Sequence, residues 1–171
     1  MMLSRADVPQ SLVLVAAGPP SAVVALQHQL GPQLATALGL VWREPLDPLE
    51  PQRALAGLAG QGSGLVPLPV DPGWPLNGAG HWAEALGAWR QPALLLLAGE
   101  QLETGLPAAM VALLHQWQVP LVGLVQGDAA WDPDARRGDG LPWLGGLDPA
   151  TGETGTLAAV LALRWRQIAS D

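Results

Sequence analysis

The segment QPALLLLAGEQLETGLPAAMVALLHQWQVPLVGLVQ, residues 91–126, decides the fold class of this chain. It contains two uninterrupted apolar runs, 93–98 and 121–125, which are too short for globular helices and each follow a proline. Between them, apolar residues recur at intervals of three and four, which predicts an amphipathic helix that Thr104 can cap. Strands without polar alternation are typical of a parallel sheet covered on both faces. The segment therefore predicts a right-handed βαβ unit.

The rest of the chain continues this alternation of strands and helices. Residues 31–32, Gly-Pro, predict a break or kink in the first helix. Pro67 and Pro69 predict that the third strand is an edge strand or an extended segment. Further strands are predicted at 12–16, 40–42, 65–70 and 143–144, further helices at 22–38, 52–58, 81–89 and 156–169, and a long polar loop at 127–142. Residues 1–171 thus form one α/β domain, a three-layer sandwich with a mainly parallel sheet of about five to six strands.

Composition excludes several classes of function. No apolar run approaches the roughly 18 residues of a membrane span, and the start, MMLSRADVPQ, does not resemble a signal peptide, so we expect a cytoplasmic protein without membrane contact. Cysteine is absent, which excludes disulfides, thiolate metal sites and a cysteine nucleophile. The net charge is −7, and the eight cationic residues, all arginine, form no basic stripe. Nucleic-acid binding is therefore not expected.

Polar residues follow most of the predicted strands. In α/β sheets, ligands bind beyond the carboxyl ends of the strands, near the point where strand order reverses. This edge should gather residues 18–21, 43–44, 70–71, 99–104 and 127–132, unless these are simply solvated loops. The candidates for binding a ligand or partner are Ser21, Arg43, Glu44, Glu100, Glu103, Thr104, Asp128, Trp131, Arg136, Arg137 and Trp143. No residue is assigned a catalytic role, although Glu100 or Glu103 would be the first choice.

The loop after the first strand decides against phosphate binding. A phosphate loop needs successive backbone N–H groups, a lysine for the outer phosphates and a Ser or Thr for magnesium. Here the turn is Gly18-Pro19-Pro20-Ser21, whose two prolines remove two donors, and the chain contains no lysine. Binding of ATP in the P-loop manner is not expected, and we predict no cofactor.

Metal and hydrolase sites are also not predicted. His28, His81 and His115 lie far apart, each on a predicted helix without a companion at the fourth position. The aspartates of the 127–142 loop lack the spacing of a calcium loop, because Arg136 and Trp143 occupy two ligand positions. A structural loop with internal ion pairs is the favoured interpretation. The serines have no G-x-S-x-G setting.

Three tryptophans lie in Pro- and Gly-rich loops, where a large apolar ring needs burial. They are Trp74, Trp131 and Trp143. Such rings usually cover their own domain. The alternative is that they form a binding face together with Arg43, Arg136 and Arg137, because Trp and Arg are over-represented at interface hot spots.

Residues 65–147, and less closely 12–45, resemble dethiobiotin synthetases and the related cobyrinate amidases. The order of LVPL at 65–68, ALG at 85–87, the Pro-led strand at 92–98, LET at 102–104 and LPWLG at 141–145 is similar to that family. Arg43-Glu44-Pro45 stands where the family has Lys-Pro. The resemblance implies a P-loop-type α/β fold and, in active members, nucleotide-dependent ligation.

The departures from this family bear on function. The glycine-rich Lys-Thr loop is missing, and Ala59 stands where the family has a magnesium-binding acid. The segment between Pro45 and Gly60 is also much shorter than in the family. We therefore predict a non-catalytic domain that acts through a protein partner or its own dimer, as a regulatory or scaffold subunit. The alternatives are a small-molecule binder or an enzyme that uses the strand-end crevice, including an active ligase of the resembled family.

Overall fold

The computed structural model describes residues 11–78, 80–148, 152–153 and 156–171. Its seven strands are β1 (Leu12–Ala16), β2 (Val41–Trp42), β3 (Gly64–Pro67), β4 (Ala93–Leu97), β5 (Leu121–Gly127), β6 (Trp143–Asp148) and β7 (Gly152–Glu153). Its six helices are α1 (Pro20–Leu38), α2 (Pro51–Leu58), α3 (Trp82–Ala88), α4 (Leu106–Gln116), α5 (Pro133–Arg137) and α6 (Leu157–Ser170). A single 3-10 turn covers Gly99–Gln101.

All strands join one sheet in the order β2-β3-β1-β4-β5-β6-β7. The first six pair in parallel, and the two-residue β7 pairs antiparallel with β6. The predicted βαβ unit is present as β4, α4 and β5, with Leu94 beside Gly123 and Leu97 beside Gln126. The mainly parallel sheet of the sequence prediction is confirmed.

Helices cover both faces of the sheet, which gives the predicted three layers. One core cluster combines α2, α3 and α4 with one face of the strands and contains the fully buried Trp82. The other combines α1 and α6 with the opposite face and contains Trp165, which is 2% exposed. Alternate residues of β1 supply the two clusters: Val13 and Val15 the first, Leu12 and Leu14 the second. Continuous apolar strands are required because both faces are buried.

Two local predictions were wrong in part. The first helix is not broken at Gly31-Pro32 but continues through Pro32, and Gly31 has a packing role, because a Cβ there would stand 2.2 Å from the Trp42 ring. The third strand, β3, lies between β2 and β1 rather than at an edge. Pro67 is its last residue, so the proline interrupts no ladder: Leu68 N–H still donates to Leu14 O, and Pro67 O still accepts from Leu46 N–H.

The segment after β5, which was predicted to be a long loop, contains a short helix. This helix is α5, whose Asp132 side chain accepts hydrogen bonds from the N–H groups of Asp134 and Ala135. Asp-Pro at a helix start is a recognisable capping signal. Strand β6 is six residues long, because Gly145 and Gly146 continue it beyond the predicted Trp-Leu pair. Within the described ranges, no helix combines the length and apolarity needed to cross a membrane.

Candidate functional site

The reversal of strand order lies at β1. The connection from β1 leads through α1 to β2, whereas the connection from β4 leads through α4 to β5, on the other side of the sheet. The two helices pack on opposite faces. A crevice between the carboxyl ends of β1 and β4 is where such folds place a ligand. The sequence prediction named this edge.

Asp71 lies at the β1 side of this crevice. Its Oδ2 accepts a hydrogen bond of 2.8 Å from Gly18 N–H, in the loop after β1. Its Oδ1 accepts a bond of 2.7 Å from Gly73 N–H. A backbone donor at the end of β1 therefore already binds a carboxylate of the same chain. An anion that approached it would be repelled by this carboxylate, and the next two residues, Pro19 and Pro20, have no N–H to donate.

Glutamine side chains connect the remaining loops of this edge. Gln101 Nε2 donates to Ala17 O at 3.0 Å, and its Oε1 accepts from Ala98 N–H at 2.9 Å, so it bridges the loops after β1 and β4. Gln27 on α1 is 2% exposed, and its Nε2 donates to Leu14 O and Leu68 O at 3.0 and 2.8 Å. Polar groups of the protein itself thus bond to one another across this edge of the sheet. Asp71 and Gln101 lie in segments that were predicted to gather at this edge, but neither was named as a binding candidate, and Gln27 was not predicted at all, because a lone Gln or Asp carries no motif.

The structure brings some of the other predicted edge residues here without forming a site. Ser21 is exposed in the first turn of α1, and Glu100 is exposed in the 3-10 turn. Asp128 has a left-handed backbone (φ 57°), and its carbonyl oxygen would be 2.7 Å from a Cβ at residue 99. Thr104 was predicted to cap α4, but the N-cap residue is Gly105; Thr104, one residue earlier, accepts a hydrogen bond of 3.2 Å from Leu106 N–H through Oγ1.

A second group of predicted residues forms a cluster of contacts around Arg136. Arg136 Nη2 lies 3.1 Å from Glu103 Oε1, and its Cζ lies 5.4 Å from the centre of the Trp143 ring. The Arg136 side chain is only 11% exposed. Trp143 Nε1 in turn donates to Asp139 Oδ2 at 2.8 Å. Each polar group has a partner, so the cluster fastens the α5 segment to the loop after β4.

Other residues of the α5 segment make contacts next to this cluster. Arg137 and Asp134 form an exposed ion pair of 3.4 Å on the helix itself. Trp131 is half-buried and packs against Gly146 of β6, where a Cβ would stand 3.3 Å from the Trp131 Cβ. Arg137 thus forms an ion pair inside the loop, as the sequence suggested, whereas Arg136 pairs with Glu103 outside it.

Arg43 lies far from this cluster. It follows β2, at one edge of the sheet, whereas Trp143 lies on β6, four strands beyond β3. The binding face predicted from Arg43, Arg136 and the loop tryptophans is therefore not gathered in one place. The reason is the topology: residue type identifies the candidates, but only the strand order sets which of them meet.

Arg43 and Glu44 belong instead to a cleft between residues 41–47 and helix α2, which we call the β2–α2 cleft. It has a volume of about 660 Å³, with Val66 of β3 at its floor. Arg43 Nη2 donates to Gln61 O at 2.7 Å, beyond the end of α2, while its buried Nε has no hydrogen-bond partner among the described residues. Glu44, Asp47, Glu50 and Arg53 also line the cleft. No pattern in the sequence predicts this concavity.

The histidines are not gathered. His28 and His115 are exposed, and His81 packs edge-on against Trp117 with ring centres 5.3 Å apart. In the part of the chain that the structure describes, no group of three or more His, Asp or Glu side chains could hold a metal ion.

No family model and no curated protein matches this chain. The resemblance to dethiobiotin synthetases thus remains a hypothesis, and the function must be inferred from the geometry of the chain itself.

Proposed function

We propose that this protein is a non-catalytic α/β domain that acts by binding another protein or a second copy of itself, as a regulatory or scaffold subunit. The observation that carries the proposal is the hydrogen bond between Gly18 N–H and the Asp71 carboxylate, at 2.8 Å. It places negative charge where a nucleotide-binding relative of such a fold would receive a phosphate. An arrangement of this kind removes the electrostatic stabilisation on which phosphoryl transfer depends.

The loops around this hydrogen bond support the same proposal. Gln101 and Gln27 connect the loops after β1, β3 and β4, so an incoming ligand would have to break their hydrogen bonds to reach the strand ends. The exposed carboxylates Glu100 and Glu103 face no predicted nucleophile or base. If the resemblance to dethiobiotin synthetases reflects descent, the fold was kept and its phosphate chemistry was lost. A cytoplasmic location is part of the proposal.

Calorimetry with Mg-ATP at millimolar concentration tests the non-catalytic part. We expect no binding heat for the wild-type chain. Saturable binding of Mg-ATP to the wild-type chain would contradict the proposal and favour the active ligase. The variant Asp71→Asn, which keeps an acceptor for Gly18 N–H but lacks the charge, shows whether the carboxylate itself is what excludes anions.

Native mass spectrometry at micromolar concentration, together with pull-down from the source cell, tests the binding part. We expect a dimer or a stoichiometric complex with a partner protein. A monomer without any partner would contradict this part of the proposal, whatever the result with ATP.

The β2–α2 cleft supports a second candidate function, binding of a small molecule. Its volume of about 660 Å³ is within the range of roughly 300–1,000 Å³ that is typical of ligand pockets. It combines the apolar Val66 and Leu58 with the charged Arg43 and Glu44. A thermal-shift screen with nucleotides, biotin precursors and organic acids should raise the melting temperature if this candidate is correct. Absence of any shift would count against it.

A further inference from the structure

We propose that the β2 edge and the β2–α2 cleft together bind an extended, basic segment of a partner protein. This inference rests on the proposed function and specifies where the partner binds and what its chemistry is. Three observations carry it: an open sheet edge, a rigidly displayed leucine, and unpaired carboxylates around the cleft.

The open edge follows from the strand order. Strand β2 is the first strand of the sheet, and among the described residues it pairs only with β3. Arg43 N–H points toward β3, because it donates to Leu65 O at 3.0 Å. Backbone groups of successive strand residues point to opposite sides, so the N–H and C=O of Trp42 point away from the sheet. They are available to a further strand, as in binding by β-strand addition.

Leu49 lies between Asp47 and Glu50, two residues that line the cleft, and is 75% exposed. Its turn is fixed by two hydrogen bonds: Leu49 N–H donates to Asp47 Oδ1 at 2.9 Å, and the buried Trp82 donates through Nε1 to Pro48 O at 3.0 Å. On β2, Val41 is also 58% exposed. Because these hydrogen bonds already hold the backbone of the turn, covering Leu49 would cost little backbone entropy and would bury a large apolar side chain.

The charged side chains around the cleft indicate which kind of segment would bind there. Glu44, Asp47 and Glu50 are exposed, and none of them forms an ion pair within the described part of the chain. The cleft also contains two arginines, Arg43 and Arg53, and Arg43 is half-buried and already donates a hydrogen bond to Gln61 O. An approaching segment therefore meets an excess of negative charge at the cleft and a net charge of −7 on the whole chain. Such a surface favours lysine and arginine in the partner.

The same charges argue against a second copy as the occupant. Pairing of two β2 edges would bring two sets of these carboxylates close together, and like charges across neighbouring strands are destabilising. We therefore assign the surface to a different protein.

The experiment is a selection of random twelve-residue peptides displayed on phage against the full-length wild-type chain. Peptides that also bind the Leu49→Asp variant are removed by counter-selection. We expect the remaining peptides to be rich in Arg and Lys alternating with apolar residues. Synthetic copies should lose more than about tenfold in affinity toward Leu49→Asp, measured by calorimetry. The matched control is Leu163→Asp, which changes a 53% exposed leucine on α6 and should leave the affinity unchanged.

A charge-reversal variant tests the predicted preference for a basic segment. The double variant Glu44→Arg, Glu50→Arg should reject the basic peptides and accept copies in which each Arg or Lys is replaced by Glu. Circular dichroism of every variant checks that the fold is kept.

The proposal is overturned if no peptide depends on Leu49, if the Leu49-dependent peptides are acidic, or if charge reversal leaves their affinity unchanged. Self-association of the wild-type chain that Leu49→Asp abolishes would assign this surface to a second copy and would also overturn it. These failures differ from a failure of the proposed function. Peptides that bind elsewhere leave protein binding in place, whereas Mg-ATP binding removes the non-catalytic interpretation itself.

Discussion

At the scale of single residues, the contact between Arg43 and Gly64 determines the shape of the β2–α2 cleft. The Arg43 side chain crosses β3 at Gly64, where a Cβ would stand 2.3 Å from Nε and 2.9 Å from Cδ. Glycine is the only residue that leaves this path open. The guanidinium can then reach Gln61 O at 2.7 Å and hold the segment that follows α2.

The variant Gly64→Ala should lower the free energy of unfolding by about 1–3 kcal/mol, because the new methyl group displaces a half-buried arginine. The matched control is Gly57→Ala on α2, where no atom of the described residues lies within 4 Å of the added Cβ, the backbone of its own helix aside. Alanine there should stabilise the protein by about 0.5–1 kcal/mol. Urea denaturation measures both. Equal effects of the two substitutions would show that Arg43 does not occupy this path.

Part of the candidate site could be predicted from the types of the residues in the sequence. Glu103, Arg136 and Trp143 were named from the sequence, and the structure joins them in one cluster. Asp71 lay in a predicted edge segment, but its hydrogen bond to Gly18 N–H was not predicted, because it joins residues 53 positions apart. Contacts of this range depend on strand order, which periodicity does not reveal. For the same reason, Arg43 was grouped with residues that it does not meet.

At the scale of elements, α1 is fixed to the sheet by a polar contact as well as by apolar packing. Gln27 is buried in the middle of the helix and donates to carbonyls of β1 and of the loop after β3. Leu30 and Leu34 pack against the same face of the sheet without any polar contact. A buried carbonyl without a donor is unfavourable, so Gln27 fixes the position of α1 along the strands.

The variant Gln27→Leu should lower the free energy of unfolding by about 1–3 kcal/mol, because Leu68 O loses its donor. The exposed Gln29→Leu, two residues along the same helix, should change it by no more than about 0.5 kcal/mol. Thermal or urea unfolding, followed by circular dichroism, distinguishes the two. If both variants were as stable as the wild type, the Gln27 hydrogen bonds would contribute nothing to the position of α1.

Most elements were predictable from hydrophobic periodicity, and the exceptions have physical reasons. Strands β1, β4 and β5 are continuous apolar runs because helices cover both faces. Strand β6 was underestimated, because Gly146 interrupts its apolar pattern: a side chain there would meet Gln126 and Trp131, at 3.2 and 3.3 Å. Strand β3 was predicted to lie at the edge because of its prolines. The edge strand is instead β2, which is difficult to recognise from sequence because it has only two residues and is partly exposed.

At the scale of the whole molecule, two hydrophobic clusters share one sheet. Every strand from β1 to β5 is buried along its whole described length except β2, so neither face can be exposed without disrupting the other. We therefore expect a single cooperative unfolding transition. Trp82 and Trp165 lie in different clusters, so tryptophan fluorescence reports on both faces.

The variant Leu161→Ala, which truncates a 1% exposed side chain of α6, should lower the free energy of unfolding by about 2–5 kcal/mol. Fluorescence and circular dichroism should show the same displaced midpoint. Leu163→Ala on the same helix, at a 53% exposed position, should change it by about 0.5 kcal/mol or less. Two separate midpoints for Leu161→Ala would mean that the faces unfold independently, contrary to this expectation.

The bond from Gly18 N–H to the Asp71 carboxylate has a consequence for the molecule in a living cell. Cellular pools of ATP and inorganic phosphate rise and fall with growth and starvation. Gly18 N–H, at the end of β1, already donates to a carboxylate of the same chain, and this carboxylate repels a further anion. If the protein acts by protein binding as we propose, we expect that binding to be insensitive to the concentrations of ATP and phosphate.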